Sequence, residues 1–248
     1  PLTHTHTIPY TSTWHYHELA GELAGGTGKR GQNEWAWMFD SNTLRSFPVS
    51  FLGIVKKMNV SNTALRRALV KECRSAGVNK CKGSVLGPES WRNFGAEAAV
   101  YRQSDFCLLP GGDIAARKAL FDMLLAGCIP VIFDWQGQMN FPWHLPEHIA
   151  RAIAVEVRVF HDQVKARRVR GIKGQPLDLS GLVDALIAIP QEKRVSARRV
   201  IKSIAWNLQY SVVPSMEHGR GNDESTGRRS WSPPFPDAVD VILGHILS

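Results

Sequence analysis

One short stretch, in which two apolar segments flank a glycine-rich turn and a helix, constrains the fold of this chain most strongly. Asp105–Leu109 is apolar enough for a buried strand and stops at Pro110-Gly111-Gly112. Helical spacing of apolar residues follows over Ile114–Ala126, Gly127 ends that helix, and Ile129–Phe133 forms a second apolar run. A strand, turn, helix and strand within about 30 residues are typical of a βαβ unit, which predicts a parallel sheet.

The rest of the chain supplies further elements for an α/β fold. Val49–Phe51 predicts another buried strand of the same sheet, and Phe94–Arg102 fits either a helix or an irregular segment. We expect a mobile loop over residues 214–236, which are rich in Gly, Ser, Pro and Arg. Apolar spacing predicts further helices over Ala64–Arg74, Leu177–Ile189, Gln191–Tyr210 and Asp237–Leu247.

The glycine-rich turn is a candidate site for a phosphate group. Ligands of parallel sheets bind outside the carboxyl ends of the strands, where Gly111, Gly112 and Asp113 are expected. Glycines allow a diphosphate to approach the backbone, and a helix N-terminus favours its charge. We expect Arg117, one turn into the helix, to reach the crevice and clamp phosphate, and Asp122 to accept hydrogen bonds from ribose hydroxyls.

The same residues also have simpler interpretations. Asp113 fits the N-cap of the helix that follows, with no role in ligand binding. Lys118 and Asp122 are four residues apart, so they could form an ion pair on the helix surface. Spacing alone does not decide between these interpretations and a phosphate site.

Charge favours an anionic partner without identifying one. The net charge is +8, and the basic residues cluster at Lys165–Arg170, Arg194–Lys202 and Arg228–Arg229. Each cluster is equally consistent with a solvated helix or loop face. Because no zinc-finger spacing, helix-turn-helix signature or aromatic RNA-binding motif accompanies the charge, the sequence does not favour nucleic acid as the partner.

The four cysteines fall into two groups. Cys107 and Cys128 lie in apolar runs, so we interpret them as small buried hydrophobic residues. Cys73 and Cys81 flank a short polar stretch and are candidates for a local disulfide, which would fit an oxidising compartment. None of the four forms a CxxC pair, which argues against a zinc site, and we expect no bound metal.

The stretch around the turn closely resembles the signature of exostosin-type glycosyltransferases. In that family a strand and turn of the form S-x-F-C-L-x-P-x-G-D precede two arginines, Phe-Asp or Phe-Glu, and G-C-I-P-V. This chain has Ser104–Asp113, Arg117-Lys118, Phe121-Asp122 and Ala126–Val131 at the matching places. The match is long, gapless and unusual in composition, so the chain is identified as similar to this family.

Weaker matches extend the resemblance towards both ends. Ile8–Ser12 and His15 resemble the family's V-P-Y-P-S…H segment, and Arg45 with Ser50-Phe51 and Gly53 resembles its R-x-x-x-x-S-F-x-G segment, followed by Arg66 in a familiar place. The family has a GT-B fold, which consists of two Rossmann-like domains. The resemblance therefore implies that residues 46–248 form the C-terminal donor-binding domain and that residues 1–45 are a remnant of the N-terminal acceptor domain.

The resemblance also implies a function. It predicts transfer of a sugar from a UDP-sugar to a polysaccharide or glycan, metal-independent and inverting, by a Golgi-lumen protein whose membrane anchor precedes this chain. The donor is a substrate, and no cofactor or nucleic-acid partner is expected. His15 is a weak candidate for the base that deprotonates the acceptor hydroxyl. The candidate substrate-binding residues are Arg45, Gly53, Gly111, Gly112, Asp113, Arg117, Lys118 and Asp122.

Departures from the family pattern leave two alternatives open. Ile114, Ala116 and Lys118 replace residues that usually carry hydroxyl groups or a second arginine. One alternative is therefore a non-catalytic exostosin-like module that binds a nucleotide sugar without turnover. The other is an α/β domain that binds polyanions, and it depends on net charge alone.

Overall fold

The structure is a computed structural model that describes part of the 248-residue chain. The described residues are Pro9, 45–53, 60–85, 94–112, 116–157, 177–210 and 237–247. Several expectations from the sequence lie outside these ranges: His15, Asp113, Ile114, the basic segments Lys165–Arg170 and Arg228–Arg229, and the loop 214–236.

The described residues form one five-stranded sheet in which every pairing is parallel. The strands are β1 (Phe47–Gly53), β2 (Cys81–Val85), β3 (Ser104–Leu109), β4 (Ile129–Ile132) and β5 (Val155–Glu156), in the order β2-β1-β3-β4-β5. All six residues of β3 and all four of β4 are buried, as expected for a parallel sheet covered on both faces. The α/β class and the three predicted strands are confirmed. Two short strands, β2 and β5, were not predicted.

Helices connect and cover these strands. They are α1 (Val60–Ala76), α2 (Phe94–Arg102), α3 (Lys118–Leu125), α4 (Trp135–Gln138), α5 (Glu147–Ile153), α6 (Leu182–Ile187), α7 (Gln191–Ile204), a 3₁₀ turn (Ala205–Leu208) and α8 (Ala238–Leu247). The predicted helices are present, but two are shorter than expected. Helix α6 begins at Leu182 instead of Leu177 and ends at Ile187, before Pro190, and α7 tightens into the 3₁₀ turn.

The predicted βαβ unit is confirmed by β3, α3 and β4. Phe106 pairs with Ile129 and Leu109 with Ile132 in a parallel register. Helix α3 ends as predicted at Gly127, whose φ of 68° is left-handed. The N–H of Gly127 donates to the Leu124 carbonyl and that of Cys128 to the Met123 carbonyl, each at 2.9 Å, which completes a Schellman cap.

The predicted beginning of this helix is wrong. Helix α3 begins at Lys118 rather than Ile114, and Arg117 occupies the N-cap position with an extended backbone. The N-cap position predicted for Asp113 is therefore not where the helix begins. Alanine at 115 and 116 favours a helix locally, so helical periodicity placed the start too early.

The strand order places a ligand crevice at one point of the sheet. From β1 the chain crosses to β2 on one side, and the next strand, β3, returns to the other side of β1. Such a reversal leaves an opening outside the carboxyl ends of β1 and β3, and open α/β sheets bind their ligands there. In this chain Gly53 ends β1, and Pro110-Gly111-Gly112 follow β3.

Two disulfides link neighbouring parts of the sheet. Cys73 of α1 is bonded to Cys81 of β2, with Cα atoms 5.1 Å apart, as the sequence suggested. Cys107 of β3 is bonded to Cys128, with Cα atoms 5.9 Å apart. The prediction that Cys107 and Cys128 are buried is confirmed, but their interpretation as unpaired hydrophobic residues is wrong. Adjacent strands bring their Cβ atoms within disulfide distance, which a sequence pattern does not reveal.

Thiol counting tests both bonds. Protein secreted into an oxidising compartment is expected to show no free thiol when denatured without reductant, and four after reduction, because the four cysteines form two pairs. Two thiols before reduction would mean that one pair does not form. Four thiols before reduction would contradict both assignments.

A buried ion-pair network connects α7 to β3. Asp105 accepts hydrogen bonds from Arg194, at 3.0 Å, and from Arg198, which is 1% exposed. Arg194 also donates to the carbonyls of Ile187 and Ile189. The basic cluster Arg194–Lys202 is therefore not simply a solvated face, because two of its arginines point inward to a carboxylate.

Candidate functional site

Three side chains from different parts of the fold hold the turn that follows β3. Gln138 Nε2 donates to the carbonyl of Leu109 at 2.7 Å. Arg117 Nη1 donates to the carbonyl of Pro110 at 3.2 Å. Arg66 donates to the carbonyl of Gly111 through Nε at 3.2 Å and Nη2 at 2.9 Å. Three consecutive carbonyls are thus fixed from outside the turn, at the edge of the sheet where the strand order predicts a ligand.

Arg66 is one of two residues of this site, with Gln138, to which the sequence analysis gave no role. It lies on the predicted helix α1 and is only 2% exposed. Its guanidinium lies above the end of β1, since a Cβ atom added to Gly53 would be 2.9 Å from Arg66 Nη1. The one sequence feature that pointed to Arg66 was the family resemblance, because an arginine at this position is familiar from the family pattern. The structure brings Arg66, Gly53 and Gly111 together.

Gln138 joins the ends of β3 and β4. Its Oε1 accepts from the N–H groups of Phe133 and Asp134, at 3.1 and 3.0 Å, while its Nε2 holds Leu109. The side chain is 1% exposed. A buried amide satisfies both of its polar ends in this way. No motif in the sequence singled out Gln138.

Arg117 lies at the crevice, although not in the way the sequence suggested. It precedes α3 instead of lying one turn inside it, and its extended backbone lets the side chain return to Pro110. The side chain is partly buried. A guanidinium at this place adds positive charge to the edge of the sheet, together with Arg66.

A group of charged residues lies beside the first turn of α3. Lys118 Nζ is 2.6 Å from Asp122, so the ion pair weighed from the sequence is present. Asp122 itself is 8% exposed. Burial raises the pKa of Glu97 on α2, and the Asp122 carboxylate adds to that effect, whereas Lys118 and Arg117 oppose it. The carboxylate predicted to bind ribose therefore already has a cationic partner.

Arg45, predicted from the resemblance to bind substrate, lies at the opposite edge of the sheet, where the strands begin. Its Nη1 donates to the carbonyls of four residues near the beginnings of β3 and β4: Tyr101, Arg102, Ser104 and Ala126, at 2.8–3.2 Å. Burial lowers the pKa of Arg45 to about 9, and the charge of Arg198 adds to the lowering. The structure does not bring Arg45 together with Gly53, Gly111 or Arg117.

The polar residues that follow β4 stabilise the local structure. Asp134 accepts from the N–H of Gly137 at 3.2 Å and caps α4, and Glu147 begins α5. His144 is 3% exposed, and its Nε2 is 3.0 Å from the carbonyl of Ala238, at the start of α8. Because a carbonyl can only accept, Nε2 carries the hydrogen, and this bond attaches α8 to the main body of the fold.

His144 makes stability depend on pH. Burial lowers its pKa below the usual 6.5; the hydrogen bond to Ala238 opposes this shift, and nearby His245 adds to it. The folded state therefore binds this proton more weakly than the unfolded chain. The stability that neutral His144 contributes is complete above pH 6.5 and is lost as the pH falls below it, with a slope of at most about 1.4 kcal/mol per pH unit.

Urea unfolding of the wild type and of His144→Gln between pH 7.5 and 5 measures this loss. The glutamine can donate to Ala238 without titrating, so the variant should have a flatter profile than the wild type. His148→Gln, which changes an exposed histidine, is the control and should retain the wild-type profile. Identical profiles for the wild type and His144→Gln would contradict the assignment.

The described part of the chain contains no cluster of three His, Cys, Asp or Glu residues that could hold a metal ion. Within the same ranges, every helix is too short or too polar to cross a membrane.

Comparison with known proteins identifies relatives of this chain. Residues 5–167 match the Exostosin GT47 domain. The chain is 35% identical over 205 residues to the probable xyloglucan galactosyltransferase GT20 of Arabidopsis thaliana, an alignment that covers 82% of this chain and 31% of the relative. It is 35% identical over 200 residues to xyloglucan-specific galacturonosyltransferase 1 of the same plant, covering 80% and 26%. The probable xyloglucan galactosyltransferase GT17 is 33% identical over 237 residues, covering 95% and 42%. The chain thus spans between 26% and 42% of the length of these relatives.

Proposed function

This chain belongs to the exostosin GT47 family, and from that membership we propose that it takes part in transferring a sugar from a UDP-sugar to a polysaccharide. The relatives' names support the reaction class, since they describe galactosyl and galacturonosyl transfer to xyloglucan. For this chain, the UDP-sugar donor and the polysaccharide acceptor are proposals. The observation that carries the donor proposal is the turn after β3, held at three carbonyls beside two arginines at the opening between β1 and β3, and the acceptor proposal follows the relatives' names.

We propose that this edge binds the diphosphate of the donor. Arg117 is partly buried at this edge, and arginine can bind phosphate through two parallel hydrogen bonds, while the buried Arg66 adds positive charge behind the turn. When the sugar leaves, negative charge develops on the diphosphate, so fixed positive groups stabilise the transition state more than the bound donor. This role of the arginines supports a metal-independent reaction.

The remaining chemistry concerns the acceptor. An acceptor hydroxyl must lose a proton as it attacks the anomeric carbon, and a positioned base takes that proton. His15 remains the candidate for the base, and direct attack by the hydroxyl would invert the anomeric centre. We also propose that the protein works in the Golgi lumen. The two disulfides are consistent with an oxidising compartment.

Binding without turnover is the second candidate function. Ala116 and Lys118 depart from the family pattern. The Lys118 ammonium group forms an ion pair with Asp122. A module with these changes could bind a nucleotide sugar and transfer nothing. Sugar transfer and nucleotide binding therefore need separate assays.

Calorimetric titrations distinguish the possibilities. We expect UDP to bind at one site and duplex DNA to bind more weakly than UDP. This order of affinities should hold at both of two salt concentrations. Steeply salt-dependent binding of DNA without selective UDP binding would contradict the proposal and favour the polyanion-binding domain. If UDP binds, incubation with UDP-galactose or UDP-galacturonic acid and xyloglucan tests turnover. Product formation supports the transferase, and its absence from a UDP-binding protein favours the non-catalytic module.

A further inference from the structure

We propose that Arg66 is a positioning residue, which fixes the Gly111–Gly112 peptide for binding of the donor diphosphate. This inference rests on the proposed function. It concerns a residue that contacts the turn and acts through it. Arg66 comes from α1, which follows β1, whereas the turn follows β3, so the contact closes the opening where the strand order reverses.

The direction of the hydrogen bonds explains how Arg66 acts. Both Nε and Nη2 donate to one acceptor, the carbonyl of Gly111. No cis peptide bond occurs in the described ranges, so the Gly111–Gly112 peptide is trans and planar. In such a peptide the C=O and the following N–H point in opposite directions. By holding the carbonyl towards α1, Arg66 directs the N–H of Gly112 away from α1.

The neighbouring contacts make this orientation cooperative. Gln138 holds the carbonyl of Leu109 and Arg117 holds that of Pro110, so each of three successive peptides has one external partner. A glycine-rich turn without such partners has many accessible conformations, because glycine restricts the backbone least. Positioning the turn before the ligand binds reduces the ordering cost of binding.

Gly53 supplies the space that this arrangement requires. Any side chain there would place its Cβ 2.9 Å from both Arg66 Nη1 and Phe51 Cζ, which is closer than van der Waals contact. Gly53 was predicted to bind substrate, and we propose instead that it accommodates the buried Arg66 and the Phe51 ring.

The experiment compares UDP with uridine, because the two ligands differ only in the diphosphate. For Arg66→Met, we expect UDP affinity to fall by roughly tenfold, as for loss of a charge-assisted hydrogen bond, while uridine affinity stays unchanged. Arg66→Lys keeps the charge but not the two-donor geometry, so it should recover part of the loss, to roughly threefold. Arg67→Met makes the same change at the adjacent, exposed position of α1 and should bind both ligands like the wild type.

Titrations are made well below the melting temperature of each variant, where the variant is folded. If Arg66 only stabilised the fold, the affinities for UDP and for uridine would then both stay unchanged. An unchanged ratio of UDP to uridine affinity in Arg66→Met would overturn the inference while leaving the proposed function intact. Absence of UDP binding by the wild type would overturn both. If Arg66→Met does not fold, Arg66→Lys decides the matter: a selective loss of UDP affinity supports positioning, and wild-type affinity contradicts it.

Discussion

Replacing Asp105 by alanine is expected to destabilise the fold by about 3–5 kcal/mol, the usual effect of removing one partner from a buried ion pair. Asp105 lies in β3 and is the carboxylate that both Arg194 and Arg198 contact. Arg198 is 1% exposed, and its Nε and Nη1 have no hydrogen-bond partner among the described residues. Without Asp105, a buried guanidinium would keep its charge and lose its counter-ion. Urea unfolding of Asp105→Ala measures the effect.

Two further variants show whether the destabilisation by Asp105→Ala is due to the burial of the ion pair. Asp184→Ala removes the carboxylate of an exposed pair with Lys80, and it should cost at most about 1 kcal/mol. Adding Arg198→Met to Asp105→Ala should recover part of the lost stability, because it removes the buried charge of Arg198, while Arg194 keeps its bonds to the carbonyls of Ile187 and Ile189. If Asp105→Ala lowered the free energy of unfolding no more than Asp184→Ala does, the role of the buried ion-pair network would be contradicted.

Replacing Arg117 by alanine is expected to weaken UDP binding by about 1.5–3 kcal/mol, as for removal of a hydrogen bond to a charged group. The side chain holds the carbonyl of Pro110 and adds positive charge at the opening between β1 and β3. Arg117→Lys should recover only part of the affinity, since an ammonium group cannot form two parallel bonds to phosphate. Calorimetry gives the affinity of each variant, and thermal unfolding shows whether it is folded.

Arg74→Ala is the matched control for this prediction. Arg74 is exposed in the last turn of α1, so its loss should leave UDP affinity unchanged. Unchanged affinity in folded Arg117→Ala would exclude Arg117 as a phosphate ligand. Failure of Arg117→Ala to fold would make the residue structural instead.

The strands β1, β3 and β4 could be predicted because parallel strands buried on both faces are continuously apolar. The sequence of β2, Cys-Lys-Gly-Ser-Val, has no such run, and β5 is two residues long. Only pairing with β1 and β4 makes these segments strands. Their existence is a property of the assembled sheet, which explains why local patterns did not predict them.

The candidate site was predictable in its place but not in its contacts. A glycine turn between strand and helix indicated the edge of the sheet where Arg66, Arg117 and Gln138 meet, and the resemblance indicated Arg117. Arg66 and Gln138 are polar residues inside the fold, and each is satisfied by a backbone group distant in sequence. The backbone contacts of Arg45 were not predictable either, because its four carbonyl partners meet only when β3 and β4 come together.

Hydrogen–deuterium exchange with and without saturating UDP tests most directly whether the nucleotide binds at the opening between β1 and β3. We expect UDP to slow amide exchange in peptides that cover residues 109–120 and the end of β1 at 51–53. The peptides around Arg45 at the opposite edge of the sheet should exchange as in the free protein. Slower exchange around Arg45, with residues 109–120 unaffected in the UDP-bound protein, would contradict the proposed site.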